Sequence, residues 1–255
     1  MLRNELQAIY VMWLRQMKRF MRSKSRIVGM IVQPLFFLVI LGSGFSQASF
    51  GIVGEGEYID FLAPGIVAMA ILFSSMFTGI SVLWDRQFGF LQEVLVAPIS
   101  RFSIIIGRTL GGATTALIQG FIILIIAIGL GVKVTSAFGL LLTIIFMILI
   151  AFTAVGFGLV LASKMQDFQG FQIIMQLVIM PLLFLSSAFF PVTDVSQLQT
   201  IARFNPLFYM VDGLRGSLIG TETTLLPPLI DLGIVFVIMI CMMTIGSYFF
   251  SKCEA

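Results

Sequence analysis

The 255-residue chain contains no histidine and only two cysteines. The first absence removes His-based metal sites and His-based acid–base catalysis. The second leaves no disulfide framework and no metal-ligand spacing, because Cys241 sits in an apolar run and Cys253 at the C-terminus. Charge is scarce too. Asp, Glu, Lys and Arg make up 11% of the residues, against about 25% in an ordinary soluble domain. No stretch of domain length has soluble composition, so residues 1–255 read as one membrane domain. No G-x-x-x-x-G-K-[ST] loop occurs, so nothing in the chain cradles nucleotide phosphates. The apolar runs carry no ionisable group near their centres. A proton- or sodium-coupled carrier keeps such groups deep in its spans, and an intramembrane enzyme needs a catalytic constellation there. Arg108 and Asp231 lie near span ends, and both read as side chains that snorkel to the interface.

What is abundant is apolar sequence, 59% of the chain. Runs of about 20 residues cross a hydrocarbon core of roughly 30 Å as helices. Six runs qualify: 27–47, 61–83, 104–130, 137–162, 171–189 and 229–250. The third and fourth exceed the need, which implies tilt. Gln172, Gln176 and Pro181 interrupt the fifth. Residues 1–26 hold Arg3, Arg15, Lys18, Arg19, Arg22, Lys24 and Arg26. With that end cytoplasmic, Arg86, Arg101, Arg108, Lys164 and Lys252 also fall inside. Only Lys133, Arg203 and Arg215 then fall outside, and segment 48–60 carries Glu55, Glu57 and Asp60 without a base. The bias puts both termini in the cytoplasm. The first apolar run is longer than the roughly 7–15 residues of a signal peptide, so it reads as an uncleaved span.

Residues 2–21 place Leu2, Leu6, Ile9, Tyr10, Trp13, Leu14, Met17, Phe20 and Met21 on one helical arc, opposite Glu5, Arg15, Lys18, Arg19 and Arg22; Arg3 breaks the pattern. Such a helix lies in a membrane interface. It either orients the first span or also touches a cytoplasmic partner. Between the second and third spans, Phe88, Leu91, Val94 and Leu95 share a face, with Arg86, Gln92 and Glu93 polar. Pro98 should stop this helix near Ala97, and Ser100 is placed to cap the next one. The element is an ordinary amphipathic loop or a plug for a socket in a soluble partner. Small residues at Gly107, Gly111, Gly112, Ala116 and Gly120, and at Gly156 and Gly158, let helices approach closely. Packing within one subunit is preferred to a dimer seam. Phe184, Phe189 and Phe190 line an apolar substrate path or simply face lipid.

The stretch WDRQFGFLQEVLVAPISRFSIIIGRTLGG at 84–112 resembles the type-2 ABC transporter permease family, in particular the daunorubicin-resistance and nodulation-factor export permeases. FFP followed by NPLFYMVDGLR in 189–215 supports the likeness; position 92 departs from it only in being Gln. The resemblance implies an all-α integral membrane fold. It has an N-terminal interfacial connecting helix (1–24), a six-span domain (27–250), a cytoplasmic coupling helix and short re-entrant helices before the last span. It implies that Asp85, Arg86, Phe88, Gly89, Leu91, Glu93, Leu95, Pro98 and Arg101 form the coupling segment. It places Phe189, Phe190, Pro191, Asn205, Pro206, Tyr209, Asp212 and Arg215 in the outer re-entrant region. The implied assembly is two permeases, a homodimer, with two separate ABC ATPase subunits in the cell membrane. ATP and Mg would be bound by the ATPase subunits, so the chain is a transport subunit and not an enzyme. Lipid is the other expected partner, and no nucleic acid is expected. The implied activity is export of a drug, lipid or lipid-linked molecule. A self-standing channel or carrier is the alternative, a membrane scaffold the third reading, and peptide or glycan cargo stays open.

The topology has a direct test. In a Cys241→Ser, Cys253→Ser background, single cysteines at Ser49 and Thr221 should react with a membrane-impermeant maleimide on intact cells. Reaction only after permeabilisation would reverse the assignment.

Overall fold

The computed structural model describes residues 2–44, 58–96, 99–191, 196–221 and 224–252. These form ten helices and, among the described residues, no strand. The helices are α1 (Leu2–Arg22), α2 (Lys24–Gly44), α3 (Tyr58–Gln87), α4 (Phe90–Val96), α5 (Arg101–Gly129), α6 (Ala137–Lys164), α7 (Phe168–Phe184), α8 (Ser196–Ala202), α9 (Pro206–Leu218) and α10 (Pro228–Ser251). Five of them, α2, α3, α5, α6 and α10, are long and apolar enough to cross a membrane by length and composition. The fifth apolar run becomes α7, a helix of 17 residues that ends at Phe184. Its C-terminal remainder turns at Ser187, whose φ is +61°.

Local chemistry sets the helix starts. Ser100, Ser136, Asp167 and Asn205 each accept a hydrogen bond from a backbone N–H of the first turn that follows, capping α5, α6, α7 and α9. Pro206 then occupies the first turn of α9, where its missing N–H costs nothing. The amphipathic helix expected between the second and third spans, ending near Ala97, is split. Asp85 and Arg86 belong to the end of α3, and Gly89, at φ +76°, turns the chain into the short α4. Only glycine takes that conformation readily.

The core is built around α3, which is buried along almost its whole length. Helices α2, α5, α6, α7 and α9 pack against it, and α10 closes over α6 and α9. Glycines set the closest crossings. A Cβ on Gly79 of α3 would lie 2.5 Å from the Gly158 carbonyl of α6 and 2.9 Å from Phe171 of α7. A Cβ on Gly246 of α10 would lie 2.7 Å from the Gly156 carbonyl. Along α5, Gly107 and Gly111 receive α1 through Ile9, Met12 and Gln16, Gly112 receives Thr78, and Gly120 receives Ile71 and Met147. The small-residue stripes therefore serve packing within the chain.

Helix α1 lies along α5, but rotated from the expected arc. Met12 and Phe20 are buried and the Trp13 indole N–H donates to Thr114 Oγ1 at 3.1 Å. Leu6, Tyr10 and Met21 remain exposed. We call the end of the bundle that carries α1 and α4 the basic end.

Two glycine substitutions separate packing from propensity. Gly79→Val overpacks the α3–α6 crossing and should cost about 1–3 kcal/mol. Gly29→Ala has nothing within 4 Å of its new methyl and should hold or raise stability. Thermal unfolding of the purified protein in detergent reads both; equal melting points would contradict the crossing.

Candidate functional site

At the basic end one carboxylate gathers three helices. Asp85, at the end of α3, is 2% exposed. Arg15 of α1 grips it bidentately at 2.9 and 2.6 Å. Arg108 of α5, fully buried, approaches at 2.7 Å, and Arg19 of α1 at 3.6 Å. Arginine suits this role because its planar fork matches a carboxylate and stays charged when buried. The rings of neighbouring helices face the guanidiniums. Phe90 of α4 lies 3.6 Å from Arg15, Trp84 of α3 5.6 Å from Arg19, and Phe250 of α10 5.8 Å from Arg108. Trp84 in turn stacks on Phe168 of α7. Arg108 therefore does not snorkel; it is a buried cation with a buried partner. The pairing spans 70 residues for Arg15, and helical periodicity carries no sign of it. One signal was available: Arg108 is the sole charged residue of α5 beyond Arg101, and a cation in an apolar helix needs an anion.

The remaining coupling-segment residues surround this cluster. Phe88 is 82% exposed at the turn, Glu93 is exposed on α4, and Arg86 is half-buried. Leu91 and Leu95 lie on α4 with side chains outside the described residues, and Pro98 is also outside them. Arg101 starts α5 and donates to the Ser251 carbonyl at 2.5 Å, tying α5 to the end of α10. Glu5 of α1 accepts from the Ser100 amide at 3.1 Å and the Ser100 hydroxyl at 2.8 Å. Hydrogen bonds from Ser103 and Ser100 hold its carboxyl below the usual carboxylate range. Thus α1 fastens both ends of the α4 connection, through Arg15 on one side and Glu5 on the other.

The opposite end is built on a second buried arginine. Arg215 of α9 is 1% exposed and forms no ion pair among the described residues. Its guanidinium donates to the Phe61 carbonyl at 3.3 Å and the Ser187 carbonyl at 2.6 Å, and packs 3.8 Å from the centre of the Phe61 ring. Asp212, one turn earlier, accepts from the amides of Leu225 and Leu226 at 3.0 and 3.2 Å. Asn205 caps α9 and donates to the Leu182 carbonyl at 2.6 Å, and Tyr209 donates to the Arg203 carbonyl at 2.7 Å. Phe189 is buried between Phe37 and Phe184, whereas Phe190 is exposed and Pro191 half-buried. The Ser187 and Arg203 carbonyls and the Leu225 and Leu226 amides lie in irregular chain, and these side chains give them the partners that an apolar environment requires; the Phe61 and Leu182 carbonyls belong to α3 and α7. Pro206 carries no N–H and so leaves no donor there in need of an acceptor. Asp231, in the first turn of α10, is buried beside Gly213 rather than snorkelling, and neither of its side-chain oxygens has a hydrogen-bond partner among the described residues.

Comparison with known proteins agrees with this architecture. The ABC-2 type transporter family matches residues 7–219. A putative transport permease, ycf38, of Cyanophora paradoxa is 30% identical over 213 residues, covering 82% of this chain and 73% of that protein. Nodulation protein J of Rhizobium leguminosarum bv. trifolii is 31% identical over 199 residues, covering 77% and 75%. The inner membrane transport permease YadH of Escherichia coli K12 is 25% identical over 235 residues, covering 91% and 90%. The chain belongs to the ABC-2 type transporter family. It is a membrane protein and a transport permease of that family.

The Asp85 cluster has a specific energetic signature. Asp85→Asn leaves buried Arg108 without its counter-charge and should cost about 3–5 kcal/mol. Arg15→Gln leaves Asp85 paired to Arg108 and should cost clearly less. Thermal unfolding in detergent ranks the two, and an equal or reversed order would show that the carboxylate is not the organising group.

Proposed function

We propose that the chain is the membrane-spanning subunit of an ATP-driven exporter. In this reading α2, α3, α5, α6, α7 and α10 are six crossings and α8 and α9 are re-entrant. The basic end and both termini face the cytoplasm. Two copies assemble with two separate ATPase subunits, and an amphipathic cargo moves along the path between the copies. The relatives' names speak of transport permeases and a nodulation protein, which supports transport and leaves the cargo open.

The observation that carries the reading is α4. It is a short helix with exposed Phe88 and Glu93 beside it and on it, hung from the rigid end of α3 and backed by Arg15. Its own packing is thin, yet the residues behind it are anchored by buried charge. That combination fits a lever that meets another protein. The sequence holds no phosphate-binding loop, so ATP-driven transport draws its energy from another subunit. In this reading Phe88, Leu91 and Leu95 enter a socket on the ATPase, Glu93 orients the contact from its polar edge, and Arg101 fixes the far end of the segment.

Phe88 gives a clean test, because its side chain supports nothing in the isolated permease. Burying it in a socket is worth about 1.5–3 kcal/mol, so Phe88→Asp should weaken assembly by roughly tenfold to a hundredfold or more. Glu93→Ala should spare assembly and lower the coupling of hydrolysis to efflux. Co-purification, ATPase rate and efflux from vesicles are measured for both. Full-rate transport by the permease without any ATPase would instead favour a self-standing channel or carrier.

A further inference from the structure

A cavity of about 520 Å³ opens between α2, α3 and α7. Its walls are mixed in a particular way. Phe77 of α3 and Met175 of α7 supply apolar surface, while Arg26, Gln33, Gln172 and Gln176 supply polar groups. The three glutamines are exposed on helices whose other residues are overwhelmingly apolar. A primary amide facing hydrocarbon without a partner is costly, and here three of them face one space. Arg26 adds a cation. Its Nε is buried without an acceptor, and Arg26 makes no ion pair among the described residues. Phe20 and Phe77 flank its guanidinium at 5.8 and 5.4 Å. Arg19 nearby also has a buried, unpartnered Nη1. The acid that serves this region, Asp85, is already shared by Arg15, Arg19 and Arg108. The basic end therefore has guanidinium donors left over and lacks an anion.

The polar groups are also ordered. At 1.5 Å per residue from the start of its own helix, Arg26 lies about 3 Å in, Gln172 about 6 Å, Gln176 about 12 Å and Gln33 about 14 Å. Arg26 thus lies nearest the helix starts and the three glutamines further along, with Met30, Phe73, Phe77, Met175 and Met180 bordering the cavity. Methionine adapts to irregular apolar shapes, and a guanidinium forks onto phosphate or carboxylate.

We infer that this cavity binds an anionic amphiphile, its phosphate or carboxylate head on Arg26 and its apolar chain against α3 and α7. The same chemistry belongs to a cargo molecule and to a resident membrane lipid. As cargo it rests on the export reading above; as a resident lipid it does not.

The test uses the permease purified with its ATPase in a neutral detergent. Phosphatidic acid with a fluorescent chain is titrated in, beside phosphatidylcholine with the same chains and inorganic phosphate as a competitor. Phosphatidic acid should bind saturably and more tightly than phosphatidylcholine. Arg26→Gln should weaken it about tenfold, consistent with loss of a charge-assisted hydrogen bond. Arg26→Lys should restore most of the affinity, and a Gln172→Leu, Gln176→Leu pair should weaken it a few-fold. Equal binding of the two lipids, or an unchanged affinity in Arg26→Gln, would overturn the inference. Complete displacement by inorganic phosphate would overturn it too, since it leaves an anion site without a place for the chain. In vesicles, ATP-dependent movement of the labelled lipid between leaflets, lost in Arg26→Gln, assigns it as cargo; binding without movement assigns it as resident. Failure of the export reading would appear separately, as an ATPase that does not co-purify while the permease alone still binds the lipid.

Discussion

Asp85 sits where the central helix of the bundle ends, and its carboxylate is shared by three guanidiniums from two other helices. Taking these charges out of water costs several kcal/mol each, and their mutual attraction in a low-dielectric setting offsets that only when the geometry is tight. The geometry is tight. Arg15 forks onto both oxygens, and Arg108 comes to 2.7 Å from the other side. Buried Asp85 and buried Arg108 are thereby each tolerable only in the presence of the other, while Arg15 and Arg19 keep part of their side chains exposed. This ties the position of α1 to that of α3, and both to α5. The aromatic faces of Phe90, Trp84 and Phe250 extend the tie to α4, α3 and α10.

The opposite end solves a different problem with a similar residue. There the chain is irregular around Ser187 and again between α9 and α10. Carbonyls and amides in such stretches lack helical partners, and an apolar setting gives them no water. Arg215 donates to the Ser187 carbonyl and Asp212 accepts from the Leu225 and Leu226 amides, while Arg215 and Asn205 also tie in the Phe61 carbonyl of α3 and the Leu182 carbonyl of α7. Gly65 lets Ala188 come against α3, where any side chain would collide with its backbone. Arg215 and Asp212 direct their charge at backbone groups and form no ion pair among the described residues.

The helices were legible in the sequence because length and hydropathy decide them, and five of the six apolar runs became helices of full spanning length. The Ser100 cap was legible from Pro98 and the polar residue after it. The packing role of the glycine stripes was legible from their four-residue spacing. The interfacial face of α1 was half legible. Its apolar arc points partly outward at Leu6, Tyr10 and Met21, because the contact with α5 depends on small residues at Gly107 and Gly111 rather than on apolar ones. The Asp85 cluster was not legible as a cluster. Asp85 appeared as one polar residue of a loop helix and Arg108 as a snorkelling one, since a pairing between distant helices leaves no periodic trace. Nor did the spacing locate the break at Gly89, which any helix-period count passes over.

The two ends together constrain how motion can travel. Helix α4 is joined to α3 through Gly89, a residue whose left-handed φ makes that joint a turn and not a continuous rod. A push on α4 is therefore poorly transmitted along the backbone alone. Behind α4, Val94 packs against the apolar core and the Arg15 guanidinium faces the Phe90 ring, and Arg15 is held by Asp85. Helix α1 thus links α4 to the end of α3 beside the direct packing of Val94, and Glu5 fixes α1 again at the start of α5. In this geometry α1 is a strut that makes a flexible joint stiff. The core it braces is close-packed through glycine crossings at Gly79, Gly158, Gly156 and Gly246, and close-packed interfaces shift as units and resist bending. Helices α2 and α7, which keep much of their surface exposed, border the mixed cavity.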